Sequence, residues 1–95
     1  LGLGFAFNIF EAALLTRMVA EQAGLTAHEL VWTGGDVHLY LNHGALVEEQ
    51  LKRSPSGAPK LKMLRKAENI FSYNFNDFVV EDYQPQQHIA APVAV

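Results

Sequence analysis

The 95-residue sequence contains no cysteine. Disulfides and thiolate metal sites are therefore excluded, and no thiol nucleophile can come from these residues. A cytosolic compartment is compatible with that lack. Long apolar runs are also missing, and the longest is far too short to span a bilayer. The run Leu1-Gly2-Leu3-Gly4-Phe5-Ala6-Phe7 has no basic residues before it, as a signal peptide would require. We therefore expect that the chain starts mid-protein, in a strand or loop whose earlier part is missing. No internal repeat or low-complexity segment is present, and no His-x-x-x-His pair or acidic cluster suggests a metal site. The expectation is no metal.

What remains is the composition of a soluble globular protein, 49% hydrophobic and 18% charged, and long enough for at most one small domain with a marginal core. The net charge of −3 argues against general nucleic-acid binding. Six of the seven Lys and Arg residues lie between Lys52 and Lys66. A solvated loop and edge strand account for such a cluster, and a patch facing phosphate or carboxylate is the sharper alternative.

Apolar spacing predicts an amphipathic helix from Asn8 to Gly24, packed on a sheet, with Ile9, Phe10, Ala13, Leu14, Met18 and Val19 inward. Asn8 with Glu11 fits a capping box, and Gly24 suits the residue just past the helix end. Glu29 to Thr33 and Asp36 to Leu41 read as strands around the Gly34-Gly35 turn. In the second, Val37, Leu39 and Leu41 share the core face, while Asp36, His38 and Tyr40 share the other. His43-Gly44 breaks that pattern. A short helix is expected over Ala45 to Arg53, a loop over Ser54 to Pro59, and strands over Lys60 to Arg65 and Phe78 to Tyr83. Asn69 to Phe75 is ambiguous, and the tail from Gln84 should be irregular. Together these elements make an α+β segment without βαβ periodicity.

Three polar residues have more than one reading. His38 and Tyr40 point the same way beside the Gly-Gly turn. They form either a hydrogen-bonded, half-exposed strand face or a pair of groups converging on a ligand hydroxyl. Asn8 serves either as a helix cap or as an amide presented outward to a ring.

The blocks Phe7-Asn8-Ile9, Trp32-Thr33-Gly34-Gly35-Asp36-Val37-His38-Leu39-Tyr40-Leu41-Asn42-His43, Pro59-Lys60-Leu61 and Ala91-Pro92-Val93-Ala94-Val95 closely resemble the thymidylate synthase family in order and spacing. The resemblance covers essentially the whole chain and corresponds to roughly the last third of a bacterial member. It implies that residues 1–95 are the C-terminal part of a single domain with helices packed on a mixed β-sheet. It also implies a cytoplasmic homodimer that methylates dUMP to dTMP with 5,10-methylenetetrahydrofolate as co-substrate. By the same resemblance, Asn8 reads the uracil ring, and His38 and Tyr40 bind the 3′-hydroxyl of the deoxyribose. Leu3, Gly4 and Phe7 line the folate and nucleotide pocket. Ala94 and Val95 belong to a C-terminus that folds over the bound ligands, latched by the terminal carboxylate.

The family's nucleophilic Cys, phosphate-binding arginines, pterin-holding Asp and acid/base Glu are all expected upstream of Leu1, so the segment by itself should be inactive. A dUMP hydroxymethylase of the same fold and a non-catalytic fragment are the alternatives. The sequence also departs from the family pattern. Ala6 stands where Pro is usual, Phe10 and Glu11 replace small residues, and Ala12 replaces an aromatic. The loop reads Arg53-Ser54-Pro55-Ser56-Gly57, and the later block reads Asp82-Tyr83-Gln84-Pro85-Gln86-Gln87.

Overall fold

The computed structural model describes residues 1–93. Its longest element is helix α1, Phe5–Ala23. This stretch contains no Gly or Pro, and its only β-branched residues are Ile9, Thr16 and Val19, so little in it opposes helix formation. Thr16 turns its hydroxyl back onto the Ala12 carbonyl at 2.8 Å. The helix stops at Gly24, which takes the left-handed conformation (φ 68°) open to glycine, and Leu25 N–H closes the last turn on Ala20 O at 2.9 Å.

The expected start at Asn8 is corrected. The helix begins one turn earlier, with Gly4 at the cap position and no side-chain cap, and Asn8 N–H donates to Gly4 O at 3.1 Å. Asn8 is thus an interior residue and forms no capping box with Glu11. The reason is local: Phe5-Ala6-Phe7 offers no residue that breaks a helix, so the turn propagates back to Gly4.

The strands expected at Glu29 to Thr33 and Asp36 to Leu41 do not form, and that stretch carries no regular structure before the 3₁₀ turn Leu41–His43. A strand exists only when a neighbour takes its N–H and C=O groups. Among the described residues no segment pairs with either. Val37, Leu39 and Leu41, expected in the core, are exposed, Leu41 at 103%. Helix α2 then runs Gly44–Lys52.

The one sheet among the described residues is an antiparallel pair, β1 Lys60–Met63 with β2 Phe78–Glu81. Its register sets Leu61 opposite Val80 and Met63 opposite Phe78. The expected alternation holds, with Leu61 and Met63 half-buried and Lys60 and Lys62 exposed. The helices and this sheet make an α+β segment.

The 64–77 connection holds two 3₁₀ turns, Ile70–Ser72 and Phe75–Asp77. Asp77 organises it. One carboxylate oxygen accepts from Arg65 Nε at 2.7 Å, the other accepts from Asn74 N–H at 2.7 Å, and the Asp77 carbonyl accepts from Leu64 N–H at 2.8 Å. Arg65 reaches on to Ser72 O at 2.6 Å. Gln22 ties the end of α1 to this unit, donating to Ala67 O at 2.9 Å and to the Tyr73 hydroxyl at 3.1 Å.

The apolar side chains find little cover. Among the described residues Ala67 is the buried hydrophobic one, while Phe7, Val31, Leu51, Phe71 and Phe75 are largely exposed. The helix α1 buries none of its residues. It faces the β1–β2 pair across a cavity of about 330 Å³ and does not pack tightly on it. The radius of gyration is 16.3 Å, against about 12 Å for a compact chain of this length. The accessible surface is 7886 Å², against about 5,400 Å² for a compact protein of this mass. No helix among the described residues is long and apolar enough to cross a membrane.

The Asp77 carboxyl lies below its ordinary value of 3.8, first because of the Arg65 guanidinium and then because of the Asn74 N–H. Its contribution is fully present above the unfolded value and is lost as pH falls through the depressed folded value. Asp77→Asn should therefore lower the urea midpoint at neutral pH. The gap to the wild type should narrow as the pH drops below 3.8, as read by urea titrations across acidic pH.

Candidate functional site

The stretch from Trp32 to His43 is shaped at Gly34. A Cβ added there would overlap both the Trp32 indole and Val37 Cγ2, so only glycine lets the two side chains close over the backbone. The chain then bends at Gly35-Asp36. Trp32 packs on the first turn of α1, its ring 4.8 Å from that of Phe5 and nearly perpendicular to it. Six residues further along, the His38 carbonyl lies 3.1 Å from the Leu1 nitrogen.

His38 and Tyr40 do project to the same side, although no ladder fixes them. Their ring centroids are 5.4 Å apart. His38 Nδ1 lies 3.3 Å from Asp36 Oδ1, an exposed pair that orients the imidazole only weakly. Tyr40 is 42% exposed, and its hydroxyl has no partner among the described residues.

The row continues to His43, whose ring stands edge-on to Tyr40 at 5.2 Å. In the sequence His43 ends the Trp32–His43 block and breaks the strand pattern, and neither reading gives it a role of its own. It is 1% exposed, and its Nε2 lies 2.7 Å from the Pro92 carbonyl oxygen. That partner is 49 residues away, so no local pattern could have signalled it.

Leu3 and Gly4 lie in the turn that enters α1, and Phe7 is exposed on its first turn. Asn8 follows, one hydrogen-bonded turn beyond Gly4. Its carboxamide is exposed and has no partner among the described residues, because the backbone no longer needs it as a cap. The contacts Leu1 to His38 and Phe5 to Trp32 thus bring the α1 entrance against the stretch that carries His38 and Tyr40.

Ala94 and Val95 lie outside the described residues. The tail before them has no regular structure, as expected, yet it is fastened at three points. Gln86 Nε2 donates to Ser54 O at 2.9 Å, Arg53 Nη1 donates to Gln87 O at 2.6 Å, and Pro92 O meets His43.

The cluster of cations between Lys52 and Lys66 is partly consumed within the chain. Arg53 pairs with Glu49, Lys62 with Glu81 and Arg65 with Asp77. The cavity between α1 and the sheet, lined by Phe10, Leu14, Arg17, His28 and Leu61 among others, contains none of the candidate residues. On the helix it opens about half a turn away from Asn8.

The family model described as thymidylate synthase matches residues 1–95. The chain is 76% identical over its full length to the thymidylate synthase of Sphingopyxis alaskensis, covering 30% of that protein. It is 61% identical over its full length to that of Rhizorhabdus wittichii, covering 31%. It is 56% identical over 98% of its length to that of Novosphingobium aromaticivorans, again covering 30%. The chain therefore spans about a third of the length of these relatives.

The crowding at Gly34 yields a direct expectation. Gly34→Ala should push Trp32 off Phe5 and displace His38 and Tyr40 with it. A red shift and quenching of fluorescence from the single tryptophan would report that movement, and an unchanged spectrum would count against it.

Proposed function

Because the chain belongs to the thymidylate synthase family, we propose that residues 1–95 form the C-terminal part of one thymidylate synthase domain. The complete protein then transfers and reduces a one-carbon unit from 5,10-methylenetetrahydrofolate to dUMP, giving dTMP. The observation that carries this reading is the pairing of the His38 and Tyr40 rings at 5.4 Å beside a helix entrance that leaves the Asn8 carboxamide unused.

Asn8 is the uracil reader in this proposal. A carboxamide offers one acceptor and one donor side by side. The acceptor takes uracil N3–H, and the donor gives to O4. Cytosine presents the reverse pattern, and each group left unpaired would cost about 1–3 kcal/mol. His38 and Tyr40 hold the 3′-hydroxyl of the deoxyribose, one accepting from it and the other donating to it. Leu3, Gly4 and Phe7 line the pocket shared by nucleotide and folate. Ala94 and Val95 close over both ligands, excluding water from the reacting centres.

With no cysteine in the chain, the nucleophile comes from outside these residues, and the segment alone is inactive. The surface in excess of a compact protein, roughly 2,500 Å², is of the size that permanent interfaces bury. It supports a core completed by further polypeptide and by a second subunit of a homodimer. A cytoplasmic location belongs to the same reading, since dUMP and folates are charged and do not cross a bilayer unaided.

Two substitutions in a full-length synthase carrying this segment test the reading. Asn8→Asp should lower kcat/KM for dUMP by about 100-fold, because a carboxylate oxygen then faces uracil O4, acceptor against acceptor, while N3–H keeps its partner, and should improve the relative turnover of dCMP. An unchanged dUMP-to-dCMP ratio would remove the uracil-reading role. Tyr40→Phe should raise KM for dUMP about fivefold, on the order of 1 kcal/mol. An unaltered KM in steady-state assays would rule out contact with the sugar.

A further inference from the structure

In the row of rings His38, Tyr40 and His43, the first two are exposed and the third is fixed. His43 is 1% exposed, in a chain whose apolar residues are mostly exposed. Its Nε2 lies 2.7 Å from Pro92 O. A carbonyl oxygen only accepts, so Nε2 carries the proton and donates. Gly2 lies so close to the ring that an added Cβ would sit 2.8 Å from Nδ1. Nδ1 itself has no partner among the described residues. Packing alone does not account for this residue, since an aliphatic side chain would fill the space without burying an unpaired nitrogen.

The fixed residue holds Tyr40 in two ways. The His43 backbone N–H donates to the Tyr40 carbonyl at 3.0 Å, closing the 3₁₀ turn Leu41–His43. The imidazole stands edge-on to the phenol ring, with 5.2 Å between centroids and 68° between planes, one of the favoured arrangements of an aromatic pair. The first contact places the Tyr40 backbone, and the second limits how its ring can turn. His38, tilted by 47° and paired with exposed Asp36, gives no comparable support.

We propose that His43 is a positioning residue for Tyr40. Its imidazole, seated between Pro92 O and Gly2, sets the ring plane that aims the Tyr40 hydroxyl at the 3′-hydroxyl of the nucleotide. The proposal rests on the functional reading above and adds to it how the sugar-binding group is aimed. Gly2 is part of the device, because its missing side chain lets the imidazole seat.

A double-mutant cycle in a full-length synthase carrying this segment tests it, read as KM for dUMP. His43→Leu should raise KM about three- to fivefold, close to the effect of removing the Tyr40 hydroxyl outright, while kcat falls less. Added to Tyr40→Phe, it should raise KM no further, because no hydroxyl is left to aim. Two independent effects would instead multiply. Gly2→Ala, which keeps the imidazole but displaces it, should raise KM in the same way and show the same lack of additivity. Crystal structures of the His43→Leu and Gly2→Ala proteins should show the Tyr40 ring turned from its wild-type plane.

An unchanged KM in His43→Leu would overturn the proposal. So would multiplied effects in the double variant, since His43 would then act on the fold at large and not through Tyr40. If His43→Leu fails to fold, Gly2→Ala takes its place in the cycle and decides by the same criteria. If Tyr40→Phe alone leaves KM unchanged, the sugar-binding reading fails. An unmoved Tyr40 ring in the crystal structures then still overturns the positioning role.

Discussion

One contact between the beginning and the middle of the chain sets the geometry of everything that bears on function. The turn at Leu1 to Phe5 leans on the stretch from Trp32 to His43 through the exposed Leu1 ammonium on the His38 carbonyl, an edge-to-face aromatic pair and a buried imidazole. None of the three is strong by itself, each being worth about 1 kcal/mol. They act together because Gly34 removes the one Cβ that would hold Trp32 and Val37 apart. From that junction His38 and Tyr40 project together, and α1 sets out with Asn8 one turn beyond Gly4.

The second determinant is a shortage of cover. Helix α1 is formed by local preference and closed by Gly24 at its C-terminal end, and it stands without burying a single residue. The hairpin of β1 and β2 is held by its own ladder and by the Arg65–Asp77 unit beside it. Elements whose hydrogen bonds are local, or lie within one hairpin, are fully formed. Elements that need a neighbouring strand are absent. That division follows from where each backbone group finds its partner, and it matches a chain that spans about a third of its relatives' length.

The same division explains what the sequence disclosed. The helix, its end at Gly24, the second helix, both hairpin strands and the alternation of Leu61 and Met63 were legible because they are encoded within a few residues. The helix start is not legible, since Asn8 and Glu11 mimic a capping box while Phe5-Ala6-Phe7 continues the helix back to Gly4. The two strands flanking Gly34-Gly35 were read from a correct alternation, yet alternation cannot supply a pairing partner. His38 and Tyr40 still stand together, their rings 5.4 Å apart, without a sheet to hold them. The burial of His43 is not legible from its neighbours, because its partner is a carbonyl 49 residues further on.

The alternation of Lys60 and Lys62 along β1 has a consequence for self-association. A two-stranded ladder leaves both outer edges free to recruit another strand, the usual route to fibrous assembly. Were two copies to add edge to edge through β1, ammonium groups of one would meet those of the other, and like charges directly opposite are repulsive. Lys62 balances Glu81 within its own hairpin at 3.6 Å, whereas Lys60 has no such counterweight among the described residues. The edge is thereby biased toward a partner strand that brings negative charge and against a copy of itself.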